Sequence, residues 1–351
     1  MIISWISSAS WADRGFWAVK AATKAGREPW NALSTNCSLR REANSSRLIT
    51  EDTTRVTALQ TGDVDCTVAP PESMLDVLKG DQNLTLTSSP GFGVSFVAFN
   101  TQKEPFNNVK VRQAIYDAID LDTIQSSLIK DAGEASTALP SSTALFTIET
   151  DRWNDYLSKA PKHTYDVEAA KALLAEAGYP DGFTCSLMIS DSSLRNSMAL
   201  AIQEQLAQIG ITVNINKVST DEHTAYQFGE KLDANGLRDY DMIMAGWEAD
   251  YPDPSGNLTP LYQGGNSSNA AAYQNDEVDK LIADQAQSSD PTQRNDDMFQ
   301  AFDIITQDVP YVFLYYPVKN IAMNKAYTGV TMNASWIWNI HFQSVHPVSE
   351  G

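Results

Sequence analysis

Two carboxylates, Asp250 and Asp253, stand three residues apart around Pro252 in the segment Asp239-Tyr-Asp-Met-Ile-Met-Ala-Gly-Trp-Glu-Ala-Asp-Tyr-Pro-Asp-Pro254. Such a pair could do acid/base work or hold calcium, or each Asp could simply cap its own turn. A hydrolase would need a second catalytic group, and the sequence points to none. It contains no Gly-x-Ser-x-Gly, Gly-x-Gly-x-x-Gly, Gly-x-x-x-x-Gly-Lys or His-Glu-x-x-His pattern. The four histidines, at 163, 223, 341 and 346, lack metal-ligand spacing. Asp253 precedes Pro254 and reads most simply as a turn former.

The elements that position these residues are legible nearby. Met242 to Gly246 is a short apolar run between charge on one side and Pro252 and Pro254 on the other, which predicts a core strand entering a rigid loop. Trp247 and Asp250 then sit where a strand delivers side chains to a cleft. Upstream, a helix over Leu194 to Ile209 is followed by Gly210 and a strand over Ile211 to Val218. Asp166 predicts a helix N-cap, Ala169, Ala170, Leu173, Leu174 and Ala177 an apolar stripe, and Gly178 with Pro180 the stop. Asn107 or Asn108 can cap a helix with Val111, Ala114, Ile115, Ala118 and Ile119 facing inward. Arg112 lies on another side and reads as an ion-pair or carbonyl partner within the scaffold. The alternation of helices with short β-branched runs predicts an α/β fold of mixed sheets flanked by helices, and 351 residues favour two or more domains.

Several separated motifs, in order, carry a resemblance to a known family: Thr54-Arg-Val-Thr-Ala-Leu-Gln-Thr-Gly-Asp-Val-Asp65, Val94-Ser-Phe-Val-Ala-Phe-Asn100, Pro105-Phe-Asn-Asn-Val-Lys-Val-Arg-Gln-Ala-Ile115, Tyr165-Asp-Val-Glu-Ala-Ala-Lys-Ala-Leu-Leu-Ala-Glu-Ala-Gly-Tyr-Pro180 and the Trp247-x-x-Asp250 stretch. From about Ile49 to the C-terminus the chain resembles the extracytoplasmic solute-binding proteins of ABC importers, peptide and nickel family 5, of the dipeptide and oligopeptide receptor type. The resemblance implies a two-lobed, type II periplasmic-binding fold with crossings at Phe96 to Asn100 and Val312 to Pro317. It divides the chain into 97–314 as a C-terminal ligand-binding lobe and 49–96 plus 315–351 as part of the lobe carrying the termini. It further implies a short peptide as ligand, an ABC permease in the membrane as partner, no catalysis, no cofactor and no metal. Asp250 would receive the peptide's α-amino group, with Gly246 and Trp247 lining the site. Arg195, in Ser190-Asp-Ser-Ser-Leu-Arg-Asn196, is the candidate for the peptide carboxylate, and otherwise an exposed first-turn Arg. The same resemblance leaves a nickel chelate, heme, an oligosaccharide or another amine as alternative cargo, and a hydrolase using Asp250 and Asp253 as the rival outside the class.

Charge narrows the partners. With 25 Lys and Arg against 44 Asp and Glu, the formal net charge is −19, which argues against nucleic acid and an anionic membrane surface and leaves a cationic or neutral ligand compatible. A monomer is expected. The first 50 residues run the other way, with seven Lys or Arg against three Asp or Glu and four of the eight Trp. Residues 1–48 match nothing in the family, and Asn31 to Arg47 shows neither helical nor strand periodicity. The expectation is non-native or disordered sequence replacing a truncated N-terminal part, with a basic arm for a partner as the alternative.

Met1-Ile-Ile-Ser-Trp-Ile lacks the positive start and apolar length of an export signal, and nothing approaches the run of about 18 apolar residues that a spanning helix needs. An extracytoplasmic location is implied by the family alone, with the export signal expected among truncated residues. Cys37, Cys66 and Cys185 are odd in number and widely spaced, without Cys-x-x-Cys, and Cys66 and Cys185 in apolar runs read as buried free thiols.

Overall fold

The computed structural model describes residues 17–21, 44–49, 51–137, 139, 149–160, 164–330, 332 and 344–348. They divide into two compact units, one of Gly91–Pro317 and one of the described residues within Ser10–Pro90 and Val318–Gly351.

In the second unit, β1 (Trp17–Ala21), β2 (Asn44–Leu48), β3 (Cys66–Val68) and β4 (Leu84–Pro90) accompany α1 (Asp52–Gln60) and α2 (Leu75–Gly80). β1 runs antiparallel to β2, from Trp17↔Leu48 to Ala21↔Asn44, and to β3. A strand at Asn44–Leu48 corrects the expectation that this stretch lacks strand character. An edge strand is held by backbone pairing, which leaves no alternating apolar signature to read. The remainder of residues 1–48, including Arg40 and Arg41, lies outside the described residues. Glu51 caps α1 by accepting from the Thr53 amide, and Gly62 at φ +78° ends that segment. Val56, Leu59, Val64, Leu78 and Leu84 build this unit's core with Ala322.

The larger unit contains β5 (Gly93–Phe99), α3 (Val109–Asp117), α4 (Leu121–Ile124), β6 (Gly133–Ala135), α5 (Thr150–Lys159), α6 (Val167–Glu176), β7 (Thr184–Ser190), α7 (Ser193–Ala207), β8 (Thr212–Val218), α8 (Thr220–Gln227), β9 (Met242–Glu248), α9 (Ser255–Tyr262), α10 (Asp276–Gln287) and α11 (Pro291–Asp308). β10 (Tyr311–Asn324) begins there and continues past Pro317 into the other unit, where β11 (Tyr327–Thr328) and β12 (His346–Pro347) follow. The sheet of the larger unit runs β10-β5-β9-β7-β8. β5 is antiparallel to both β10 and β9, whereas β7 is parallel to both β8 and β9, so the sheet is mixed as expected.

The expected caps are present. Asp166 accepts from the Glu168 and Ala169 amides at 3.0 and 2.9 Å, and Asn108 from Lys110 at 3.0 Å. The α3 stripe of Val111, Ala114, Ile115, Ala118 and Ile119 is completely buried. The α6 stripe is narrower than its pattern: Ala170 and Leu174 are buried, Leu173 and Ala177 partly so, and Ala169 is exposed. A single edge of α6 carries its packing, so the apolar spacing overstates the buried face. Arg112 is buried and donates to the carbonyls of Phe106 (2.7 Å), Asp308 (2.8 Å from Nε) and Val309 (3.2 Å), closing the C-terminus of α11. Burial lowers its pKa, opposed by the nearby Asp308 charge. The core gathers Phe96, Ile243, Ala245, Tyr262, Phe302 and Phe313, with Tyr311 edge-on to Phe96 at 4.8 Å. Cys66 and Cys185 are buried thiols, each pushed up to about 12 by burial.

Candidate functional site

β9 (Met242–Glu248) leads into the candidate residues Gly246, Trp247 and Asp250. Its start is pinned by Asp241, whose carboxylate accepts from the Ser186 amide (2.9 Å) and hydroxyl (2.8 Å) of β7 and pairs with Lys103 at 2.7 Å. Burial pushes that carboxyl up, and Lys103 with Ser186 outweighs it, so it ends below the usual Asp value. The strand extends two residues beyond the predicted Gly246, through Trp247 to Glu248, because β5 pairs with it as far as Gly93↔Glu248. Glu248 accepts from the Phe92 amide at 3.2 Å and so fixes the chain entering β5.

Gly246 is half-buried, and a side chain on it would press on the Val94 carbonyl oxygen at 3.1 Å. Trp247 is half-buried against the core, and its indole N–H donates to the Gly256 carbonyl at 2.9 Å in the first turn of α9. The ring is therefore held by the loop it leads into. The two carboxylates beyond it have opposite surroundings. Asp253 accepts from Arg294 through both oxygens, at 2.7 and 3.0 Å, and from the Ser255 amide at 2.9 Å and hydroxyl at 2.6 Å. Asp250 is exposed, and among the described residues no hydrogen bond or ion pair reaches it. Asp253 is thus the turn and ion-pair residue, and its engaged oxygens do not suit it to act with Asp250 as an acid/base pair.

Arg195 lies in the first turn of α7, whose cap is Ser192. Its guanidinium donates to the hydroxyl of Ser190, a buried residue at the end of β7. β7 and β9 are parallel, so Ser190 and Gly246 lie at the same, C-terminal, edge of the sheet. Carboxyl edges of parallel strands are where open α/β sheets take ligands. The structure therefore brings Gly246, Trp247, Asp250 and Arg195 to one edge, with Arg195 half-buried rather than an exposed first-turn residue. Among the described residues no group of three metal-binding side chains occurs.

Two residues of this edge escaped the sequence pattern. His223 and Gln227 of α8 hydrogen-bond the carbonyls of Met244 and Gly246 at 3.0 and 2.8 Å. Their spacing of four, one helical turn, was the available signal, but nothing local says which strand a helix will face.

The family model for bacterial extracellular solute-binding proteins, family 5 (middle), matches residues 45–269. The chain is 30% identical over 289 residues to the glutathione-binding protein GsiB of Salmonella paratyphi A, covering 81% of this chain and 54% of that protein. It spans about half the length of the curated relatives it matches. The periplasmic binding protein DppA of Helicobacter pylori, solved in complex with the peptide STSA, is 27% identical with a TM-score of 0.74, over 87% of this chain and 57% of that one. A dipeptide-binding protein of Pseudoalteromonas solved with Met-Leu shares the fold, at 24% identity and a TM-score of 0.72 over 87% and 58% of the two chains.

Proposed function

Because this chain belongs to the bacterial extracellular solute-binding proteins of family 5, we propose that it is a receptor component of an ABC importer that captures short peptides outside the cytoplasm and delivers them to a membrane permease. The observation that supports a peptide, or another primary amine, is the contrast between Asp253, held by Arg294, and Asp250, exposed at the end of the same strand and loop. Asp250 receives the α-amino group, Trp247 forms one wall, the Gly246 backbone approaches the ligand, and Arg195 takes the terminal carboxylate. The part within residues 97–314 carries all of these groups. The named ligands of the relatives, glutathione for GsiB and a peptide for DppA, are in keeping with such cargo. The receptor acts as a monomer, with neither nucleic acid nor metal among its partners. Among the described residues no helix is long and apolar enough to cross a membrane.

A charge-assisted hydrogen bond in a desolvated complex contributes about 1.5–3 kcal/mol, so Asp250→Asn should weaken peptide binding about 10- to 150-fold. N-acetylation of the peptide should cost the unaltered chain a similar factor and the Asn variant much less, because both changes delete one ion pair. Calorimetric titration of both chains with free and acetylated peptide gives the cycle. Additive losses would show that Asp250 does not hold the amine, and binding of a sugar, polyamine or metal chelate in place of peptide would redirect the assignment.

A further inference from the structure

Along its full length β9 has β5 on one side, from Phe99↔Met242 to Gly93↔Glu248. On the other side β7 pairs with it only at Leu187↔Met242 and Met188↔Ile243, although β7 itself continues beside β8 to Ser190↔Val218. The sheet parts there. The carbonyls of Met244 and Gly246, two residues apart, point to the same side of the strand. They accept instead from His223 Nε2 at 3.0 Å and Gln227 Nε2 at 2.8 Å. A carbonyl can only accept, which puts the His223 proton on Nε2. Four residues of α-helix rise about 6 Å and two residues of strand about 6.6 Å, so one face of α8 serves consecutive carbonyls in place of a strand. Both side chains are buried, at 1% and 8% exposure, and so act through the backbone they hold. Gln227 grips the peptide group that leads directly into Trp247.

We propose that His223 and Gln227 are positioning residues for ligand recognition: they hold the parted end of β9 so that Trp247 and Asp250 are presented in one fixed geometry. This rests on the reading of Asp250 as the amine-binding group. Helix side chains let β9 part from β7 at its ligand edge without leaving its carbonyls unmade, which a second paired strand would not allow.

The test uses the 351-residue chain, with trialanine and N-acetyl-trialanine as probes and the ratio of their dissociation constants as the readout. Gln227→Met and His223→Leu remove the donors, whereas His223→Gln keeps an Nε2–H at nearly the same reach. Donor removal should shrink the acetylation ratio about fivefold or more, weakening the free peptide more than the acetylated one, which loses only the Trp247 contact, and His223→Gln should restore the ratio. A purely structural role would weaken both peptides alike. A full ratio in folded Gln227→Met and His223→Leu, or loss of folding in both, would make the pair scaffold and overturn the proposal. If instead the unaltered chain does not discriminate the two peptides, or Asp250→Asn leaves its discrimination intact, the amine-binding reading itself fails and takes this proposal with it.

Discussion

Arg294 holds both carboxylate oxygens of Asp253, Oδ1 at 2.7 Å and Oδ2 at 3.0 Å, across from α11 to the loop that opens α9. Burial pushes the Asp253 carboxyl up, but Arg294 and the Ser255 hydroxyl and amide outweigh it, and its pKa ends below the usual value. A carboxyl depressed by folding adds stability that is complete above its unfolded value, about 3.9, and fades as pH falls through the folded value. Asp253→Asn should cost about 1.5–3 kcal/mol at neutral pH. In urea titrations the gap between the two proteins should be constant from about pH 5 to 8 and close at lower pH. A gap that widens in acid would contradict the pairing.

Two glycines should fail for different reasons. A Cβ on Gly93 would lie 2.6 Å from Glu248 Oε2, the movable end of a side chain, so Gly93→Ala displaces the group that caps the Phe92 amide. It should cost about 1 kcal/mol alone and markedly less in a Glu248→Ala background, a coupling that a double-mutant cycle reads. A Cβ on Gly182, where φ is +75°, would lie 2.1 Å from the Gly210 carbonyl oxygen, which is backbone. Gly182→Ala should therefore cost about 3 kcal/mol or more, and no side-chain change relieves it.

Arg112 ties the Asp308 and Val309 carbonyls at the end of α11 to the Phe106 carbonyl ahead of α3, three acceptors that a shorter or apolar side chain cannot reach together. Arg112→Met should lower unfolding stability by about 2–4 kcal/mol, because buried carbonyls lose their donors. Arg112→Lys should recover little of it, since an ammonium lacks the planar fork. Recovery to within a few tenths would mean that charge alone, not geometry, is required.

Asn257 is 1% exposed, and neither atom of its amide has a hydrogen-bond partner among the described residues. The Tyr262 hydroxyl in the same helix is in the same position. Leaving a buried polar group unpaired costs about 1–3 kcal/mol. Asn257→Leu and Tyr262→Phe should therefore be neutral or stabilising, raising the thermal midpoint by roughly 2–4 °C per kcal/mol gained. A marked drop for either would show that its polar group is satisfied in solution.

Much of the local structure was open to sequence reasoning because its causes are local. The Asp166 and Asn108 caps act within three residues of their own positions, and the buried stripe of α3 follows helical spacing. The strand at Met242 was visible as an apolar run, but its end was not, since Trp247 and Glu248 belong to it only through pairing with Val94 and Gly93, about 150 residues earlier in the chain. β2 was invisible for the related reason that its pairing with β1 is made by backbone groups, which every residue carries.

The site divides along the same line. By residue type and spacing alone the sequence determined that a strand delivers Trp247, Asp250 and Asp253 to a loop stiffened by Pro252 and Pro254, because periodicity and proline act over a few residues. Which carboxylate stays open was decided only by the tertiary structure, through an Arg294 that arrives 41 positions downstream. So was the parting of β9 from β7, where His223 and Gln227 take two carbonyls that a strand would otherwise hold. A donor and an acceptor this far apart in the chain meet only after the backbone has been folded around the core, and no local propensity encodes that meeting.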